Sequence, residues 1–181
     1  LGIYSNLHPS SGAWVGFVIS KLQNDTIYFD IRKTALIYSG VQTINTVNSN
    51  QWYHLVVTYG GVKASTMKIY LDGVLQTTTS TYDTLSSAYS NTGIIDIGRL
   101  YDNYYLDGKI DKAIVYNTEL TAGEVTTIYN YGRKAGLIGI GNEVSQWEMD
   151  TLNPLDVAEH NPHTTFDGAT EYVTMGDVFS Q

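Results

Sequence analysis

The stretch TMKIYLDGVL at residues 66–75 limits the possible folds more than any other part of the chain. Met67, Ile69 and Leu71 alternate with Lys68 and Tyr70, so one face of an extended strand is apolar and the other polar. Asp72-Gly73 follows at once. Both central residues of a two-residue type I′ turn need φ > 0, which Gly accepts freely and Asp tolerates, so a further strand folds straight back at Val74 and Leu75. Upstream, WYHLVVTYGG at 52–61 is rich in β-branched and aromatic residues and reads as the partner strand of an antiparallel sheet.

Composition agrees. The chain has 181 residues, about one domain's length, with 15 Tyr and 17 Gly, the profile of strands and turns rather than helices. The predicted class is all-β. A formal net charge of −8 lacks the basic footprint that neutralises phosphates, which argues against nucleic acid and against an anionic membrane surface. Exposed carboxylates suit calcium, and equally suit a plain soluble surface. With no Cys there is neither a disulfide framework nor a thiolate site. No apolar run has the length of a membrane span, so membrane insertion is not expected. Leu1 in place of Met predicts a processed chain or a piece of something longer.

In chain order, the middle of 1–12 is turn-rich, and 14–20 and 26–32 read as strands. The second of these sets Ile27, Phe29 and Ile31 against Tyr28, Asp30 and Arg32. Asn24-Asp25-Thr26 is a formal glycosylation sequon too short to argue from. Residues 35–39 and 41–47 are expected as short strands split at Gly40. The Thr-, Ser- and Tyr-rich run 77–92 suits a long surface loop or an exposed edge strand. Residues 94–99 read as a strand with Ile95 and Ile97 opposite Asp96, followed by an aromatic and acidic loop over 101–105 and a strand over 110–116. One helix is predicted over 121–131: Thr121 and Glu124 form a capping box, Val125, Ile128 and Tyr129 make the apolar stripe, and Gly132 sits at the C′ position.

Taken together, segments 50–61, 68–76, 96–99 and 108–132, in this order and spacing, resemble the laminin G-like modules of the concanavalin A-like lectin/glucanase superfamily. The resemblance implies a two-sheet antiparallel jelly-roll sandwich that usually binds something and usually catalyses nothing. It implies a module over 1–132, leaving 133–163 as a linker or covering segment. TTFDGATEYVTMG at 164–176 then resembles the opening strand of such a module, displaced to the far side of the chain. The strand over 164–181 is expected to close the sheet of its own chain beside 110–116, to close a neighbour's sheet by exchange between identical chains, or to start a next module.

Enzymatic chemistry finds little support. Superfamily glucanases carry E-x-D-x-E on one strand face, because retaining hydrolysis needs two carboxylates a few ångströms apart. Glu148-Met149-Asp150 is the local look-alike, and Thr151-Leu152-Asn153 follows where the further Glu belongs. His160 and His163 flank Pro162, which disfavours the helix that would converge them on a metal. His54 reads as a hydrogen-bonded, half-buried strand residue. What remains is binding. Sugar recognition needs flat aromatic faces and planar polar groups, often with calcium fixing the loops. Tyr101, Asn103, Tyr104 and Tyr105 are the carbohydrate candidates. Asp102, Asp107, Asp167 and Glu171 are the calcium candidates, the last two because the opening strand neighbours this loop in the family. Tyr82 and Tyr89 form a second candidate surface. Two functions follow: a non-catalytic structural or adhesion module of a phage virion or microbial surface protein that contacts other subunits and glycans, or a dedicated calcium-dependent lectin module. Either places the chain outside the cell or on a virion.

Overall fold

In the computed structural model of the chain, the described residues are 2–5, 8–10, 13–87, 95–100, 104–131, 143–148 and 172–178. The first sheet takes β1 (Gly2–Ser5), β2 (His8–Ser10), β3 (Ala13–Lys21), β4 (Ile27–Arg32), β5 (Tyr38–Thr43), β9 (Thr78–Asp83) and β10 (Asp96–Ile97), in the order β10-β1-β3-β4-β5-β9 with β2 also on β3. The second takes β6 (Tyr53–Tyr59), β7 (Met67–Leu71), β8 (Val74–Leu75), β13 (Ile110–Tyr116), β14 (Glu143–Glu148) and β15 (Tyr172–Val178), in the order β14-β13-β15-β6-β7-β8. A separate hairpin joins β11 (Arg99–Leu100) to β12 (Tyr104–Tyr105). Among the described residues every pairing is antiparallel. This is the all-β two-sheet sandwich expected from the sequence.

The core follows the alternation. Phe17, Ile19, Ile27, Phe29, Ile31 and Val41 line the first sheet's inner face, and Leu55, Val57, Met67, Ile69, Leu71 and Val115 line that of the second. Asp72 and Gly73 take φ of 51° and 78°, as a type I′ turn requires. Helix α1 (Ala122–Tyr131) starts as its capping box dictates: Thr121 N–H donates to Glu124 Oε2 at 2.7 Å, and Glu124 N–H donates to Thr121 Oγ1 at 3.3 Å. Its buried Val125 and Ile128 join the core. Tyr129 stays partly exposed, with its ring 5.7 Å from His54. The helix thus lies on the outer face of the second sheet, so Val56 and Tyr70 are as buried as their inward neighbours.

Three expectations needed correction. The strands expected on either side of Gly40 are one strand, β5, running through it, while Ala35, Leu36 and Ile37 lie outside any strand. The strand expected over 94–99 breaks at Gly98, whose φ of +75° turns the chain out of β10 into β11. His54 is buried, not half-buried, and among the described residues its Nδ1 has no hydrogen-bond partner. The run 77–92 contains an edge strand, β9. Within the stretch read as linker or cover, Glu143–Glu148 forms β14 beside β13. Gly132 lies outside the described residues.

Burial holds the His54 imidazole at a pKa of about 4, below the ordinary 6.5, and the attraction of Asp72 offsets only part of this. As pH falls, the unfolded chain therefore takes up a proton before the folded one does. Stability from neutral His54 is complete above pH 6.5 and is lost between 6.5 and 4, to a total of roughly 3 kcal/mol. Urea denaturation at pH 7 and pH 4.5 should show that loss, and His54→Gln should flatten it. An unchanged pH slope in the variant would remove His54 as the cause.

Candidate functional site

On β4 the inward side chains are Ile27, Phe29 and Ile31, so Tyr28, Asp30 and Arg32 share the opposite face. Cross-strand pairing extends that face sideways. Asp96, Ser5, Val18, Asp30, Gly40 and Tyr82 stand in one register row from β10 to β9. A polar residue facing away from the core is normally solvated, yet Asp30 is 0% exposed. Its Oδ2 accepts from Tyr28 OH at 2.7 Å and from Arg32 Nε at 2.6 Å, with Arg32 Nη2 at 2.5 Å. Both guanidinium contacts fall on the same oxygen, and Oδ1 has no partner among the described residues. Burial pushes the Asp30 carboxyl up from the usual range, while Arg32 and then Tyr28 pull it back.

Beside it, β5 passes with no side chain at all. A Cβ on Gly40 would sit 2.8 Å from Asp30 Cβ and 3.0 Å from Thr81 Oγ1, so the glycine is required by close approach. Further out, the Arg32 guanidinium lies 4.3 Å from the centre of the Tyr38 ring. The Tyr38 and Tyr82 rings are 4.1 Å apart at a tilt of 30°. Burial first, and the Tyr82 phenol second, raise the Tyr38 hydroxyl to about 12, so it stays a neutral donor at physiological pH. The result is a stepped stack of Asp30, Arg32, Tyr38 and Tyr82, ending in a ring that is 50% exposed.

At the other end of the face, the β11–β12 hairpin folds against β1. Ser5 Oγ donates to the Arg99 carbonyl at 3.1 Å, and a Cβ on Gly2 would lie 2.3 Å from Leu100 N. Gly98 anchors both sides, donating to Ile3 O at 2.7 Å and accepting from Leu106 N–H at 2.8 Å. Arg99 Nη2 bridges to Asp96 Oδ1 at 2.7 Å. Tyr104 and Tyr105 project from the hairpin, each 58% exposed, and Asp107 is exposed just beyond.

Of the residues proposed from sequence, Tyr104, Tyr105 and Asp107 are thus together at this hairpin. Tyr101, Asp102, Asn103, Asp167 and Glu171 lie outside the described residues, as do Tyr89, Met149, Asp150, His160 and His163. Among the described residues, no group of three or more His, Asp or Glu side chains is arranged to hold a metal ion. Tyr82, the weaker candidate, belongs to the stack. Sequence reasoning did not single out Tyr28, Asp30, Arg32, Tyr38 or Gly40. The alternation Tyr28, Asp30, Arg32 was visible, but its chemistry depends on Tyr38 and Gly40, which only the β4–β5 register supplies.

Strands spaced about 4.8 Å apart put the two ends of the row, at β10 and β9, roughly 24 Å from each other. Asp30 and Asp96 are three spacings apart, about 14 Å, too far for either the retaining or the inverting carboxylate geometry. The exposed tyrosines stand at the two ends, with the Asp30–Arg32 and Asp96–Arg99 ion pairs and the buried Ser5 and Val18 between them.

Two antiparallel sheets facing each other across one core define a jelly-roll sandwich. The laminin G type 3 model of the concanavalin A-like lectin/glucanase superfamily matches residues 3–126, and the chain belongs to that family. Carbohydrate-binding or adhesion-type modules are what this superfamily supports in general. No curated protein and no solved structure matches the chain. Among the described residues, no helix is long and apolar enough to cross a membrane.

Removing the guanidinium should strand a buried carboxylate. Arg32→Ala is expected to cost about 3 kcal/mol in urea denaturation at pH 7, and adding Asp30→Asn should recover more than half of the loss. Equal stability of wild type and Arg32→Ala would mean that Asp30 is protonated or solvated in the fold.

Proposed function

We propose that this chain is a non-catalytic structural and adhesion module of a phage virion or microbial surface protein, and that it binds glycans on the outer face of its first sheet. The observation that carries this reading is the Arg32, Tyr38 and Tyr82 stack on the same face as the Tyr104 and Tyr105 hairpin. Half-exposed tyrosines offer flat surfaces to the apolar side of a pyranose ring, and the flanking guanidinium and phenol groups offer planar donors to its hydroxyls. Between the exposed ends, roughly 24 Å apart, Ser5, Val18 and Asp30 are buried, so the two tyrosine clusters offer two separate contacts rather than one continuous groove. The wide separation of Asp30 and Asp96 supports binding without hydrolysis on this face.

The excess of negative charge and the family's typically extracellular setting support a place outside the cell or on a virion, among other protein subunits. Exposed Asp107 beside Tyr104 and Tyr105 supports a calcium-dependent variant of the same reading, in which the ion orders the loop that the sugar touches.

The test is a glycan array probed with the full chain, with and without calcium, followed by titration of the best hit by calorimetry. Saturable binding is expected, weakened about tenfold by Tyr82→Ala and by Tyr104→Ala with thermal melting unchanged. Loss of binding in chelator would select the calcium-dependent form. Binding to no glycan, or binding indifferent to both tyrosines, would overturn the reading.

A further inference from the structure

The second sheet contains an opening that the matched family region does not fill. Residues 3–126 supply β6 and β13, but the strand between them is β15, which lies beyond that region. β15 is antiparallel to both neighbours, pairing Val173 with Val115 and Val57, Thr174 with Ile114 and Val56, and Met175 with Ala113 and Leu55. It follows that β6 and β13 run parallel to each other, so they cannot close the gap by pairing antiparallel with one another. The slot dictates direction and register to whatever strand enters it, but not which chain supplies that strand.

An empty slot is not a folded state. Leu55, Val56, Val57, Ala113, Ile114 and Val115 on its two flanks are buried. Each unpaired buried backbone group costs about 1–3 kcal/mol, and the pairs on both flanks together would exceed a typical domain stability of roughly 5–15 kcal/mol. A strand therefore leaves its slot only as another takes its place, or is placed there when the chain folds.

Connectivity bears on which chain that is. β14 and β15 lie on opposite sides of β13 and are both antiparallel to it, so they are parallel to each other and need a crossover connection past β13. The inner face of the sheet is the core, and the outer face already carries α1. Residues 149–171 separate β14 from β15, a length that spans on the order of 75 Å when fully extended and so is enough to reach a neighbouring copy.

We propose that the slot between β6 and β13 is an interface between copies of this chain, in which Tyr172–Val178 of one copy fills the slot of the next. In dilute solution the tethered strand, at an effective concentration of about 1 mM, closes its own sheet; chains that fold side by side trade strands. This does not rest on glycan binding, and either can fail without the other.

Because the chain has no Cys, introduced cysteines report pairing without background. Val56→Cys and Thr174→Cys are made separately and together, and the two single variants are mixed in urea, refolded over a range of concentrations and oxidised. A covalent heterodimer is expected, its yield rising roughly in proportion to concentration below about 1 mM. Ile114→Cys with Thr174→Cys reads the other flank in the same way. In parallel, wild-type protein refolded at the highest concentration should give a dimer by light scattering that survives dilution. Internal crosslinking of the double variants without heterodimer from the singles, or a wild-type monomer at every refolding concentration, would overturn the proposal.

Discussion

The fold depends on one constraint of backbone pairing: β6 and β13 run parallel, with room for a single strand between them. A sandwich tolerates loose edges, because water or charged side chains can satisfy an outer strand. It does not tolerate a gap in the middle of a sheet whose inner face is core and whose outer face lies under a helix. There, neither water nor side chains reach the unpaired amides. The hydrophobic alternation of β6, β7 and β13 becomes useful only once that ladder is continuous, so the core and the helix both rest on β15.

The first sheet meets a different difficulty. Among the described residues its outer face carries no helix, yet Asp30 at its centre is fully buried. A carboxylate there is tolerable because Arg32, two residues on and on the same face, brings an opposite charge, and because Tyr28 donates from the other side. Gly40 then lets β5 approach without a side chain, and the chain of contacts continues outward through Tyr38 to Tyr82. The stack is thus buried at its root and exposed at its tip.

Much of this architecture can be read locally. Asp72-Gly73 specifies its turn by φ alone, Thr121 and Glu124 specify the helix start by mutual hydrogen bonding, and Met67, Ile69 and Leu71 specify a face by period. What escapes local reading depends on partners distant in sequence. Gly40 reads as a strand breaker until Asp30 is set against it, when it becomes the residue that keeps β5 whole. Gly98 reads as part of a strand until its carbonyl and amide prove to be claimed by Leu106 and Ile3. His54 reads as half-buried because the stretch around it does not announce that Tyr129 lies over it. The Tyr104 and Tyr105 hairpin was legible as an aromatic loop, but its position on the same face as the stack required the register row from Asp96 to Tyr82.

The two sheets therefore divide the work in a way that follows from what covers each of them. Along β6 and most of β7 and β13 the second sheet is buried on both faces, so its free variable is the origin of its middle strand. The first is buried at Ser5, Val18, Asp30 and Gly40 even on its outer face and is exposed at Tyr82, so its free variable is the chemistry at that end. Association through the strand slot would involve the second sheet, whereas the Tyr38–Tyr82 stack lies on the first and Tyr104 and Tyr105 on the separate β11–β12 hairpin. Copies joined in this way would each present the same face outward. Weak individual contacts to a repeating ligand then add as avidity, which needs no new contact, only simultaneous engagement.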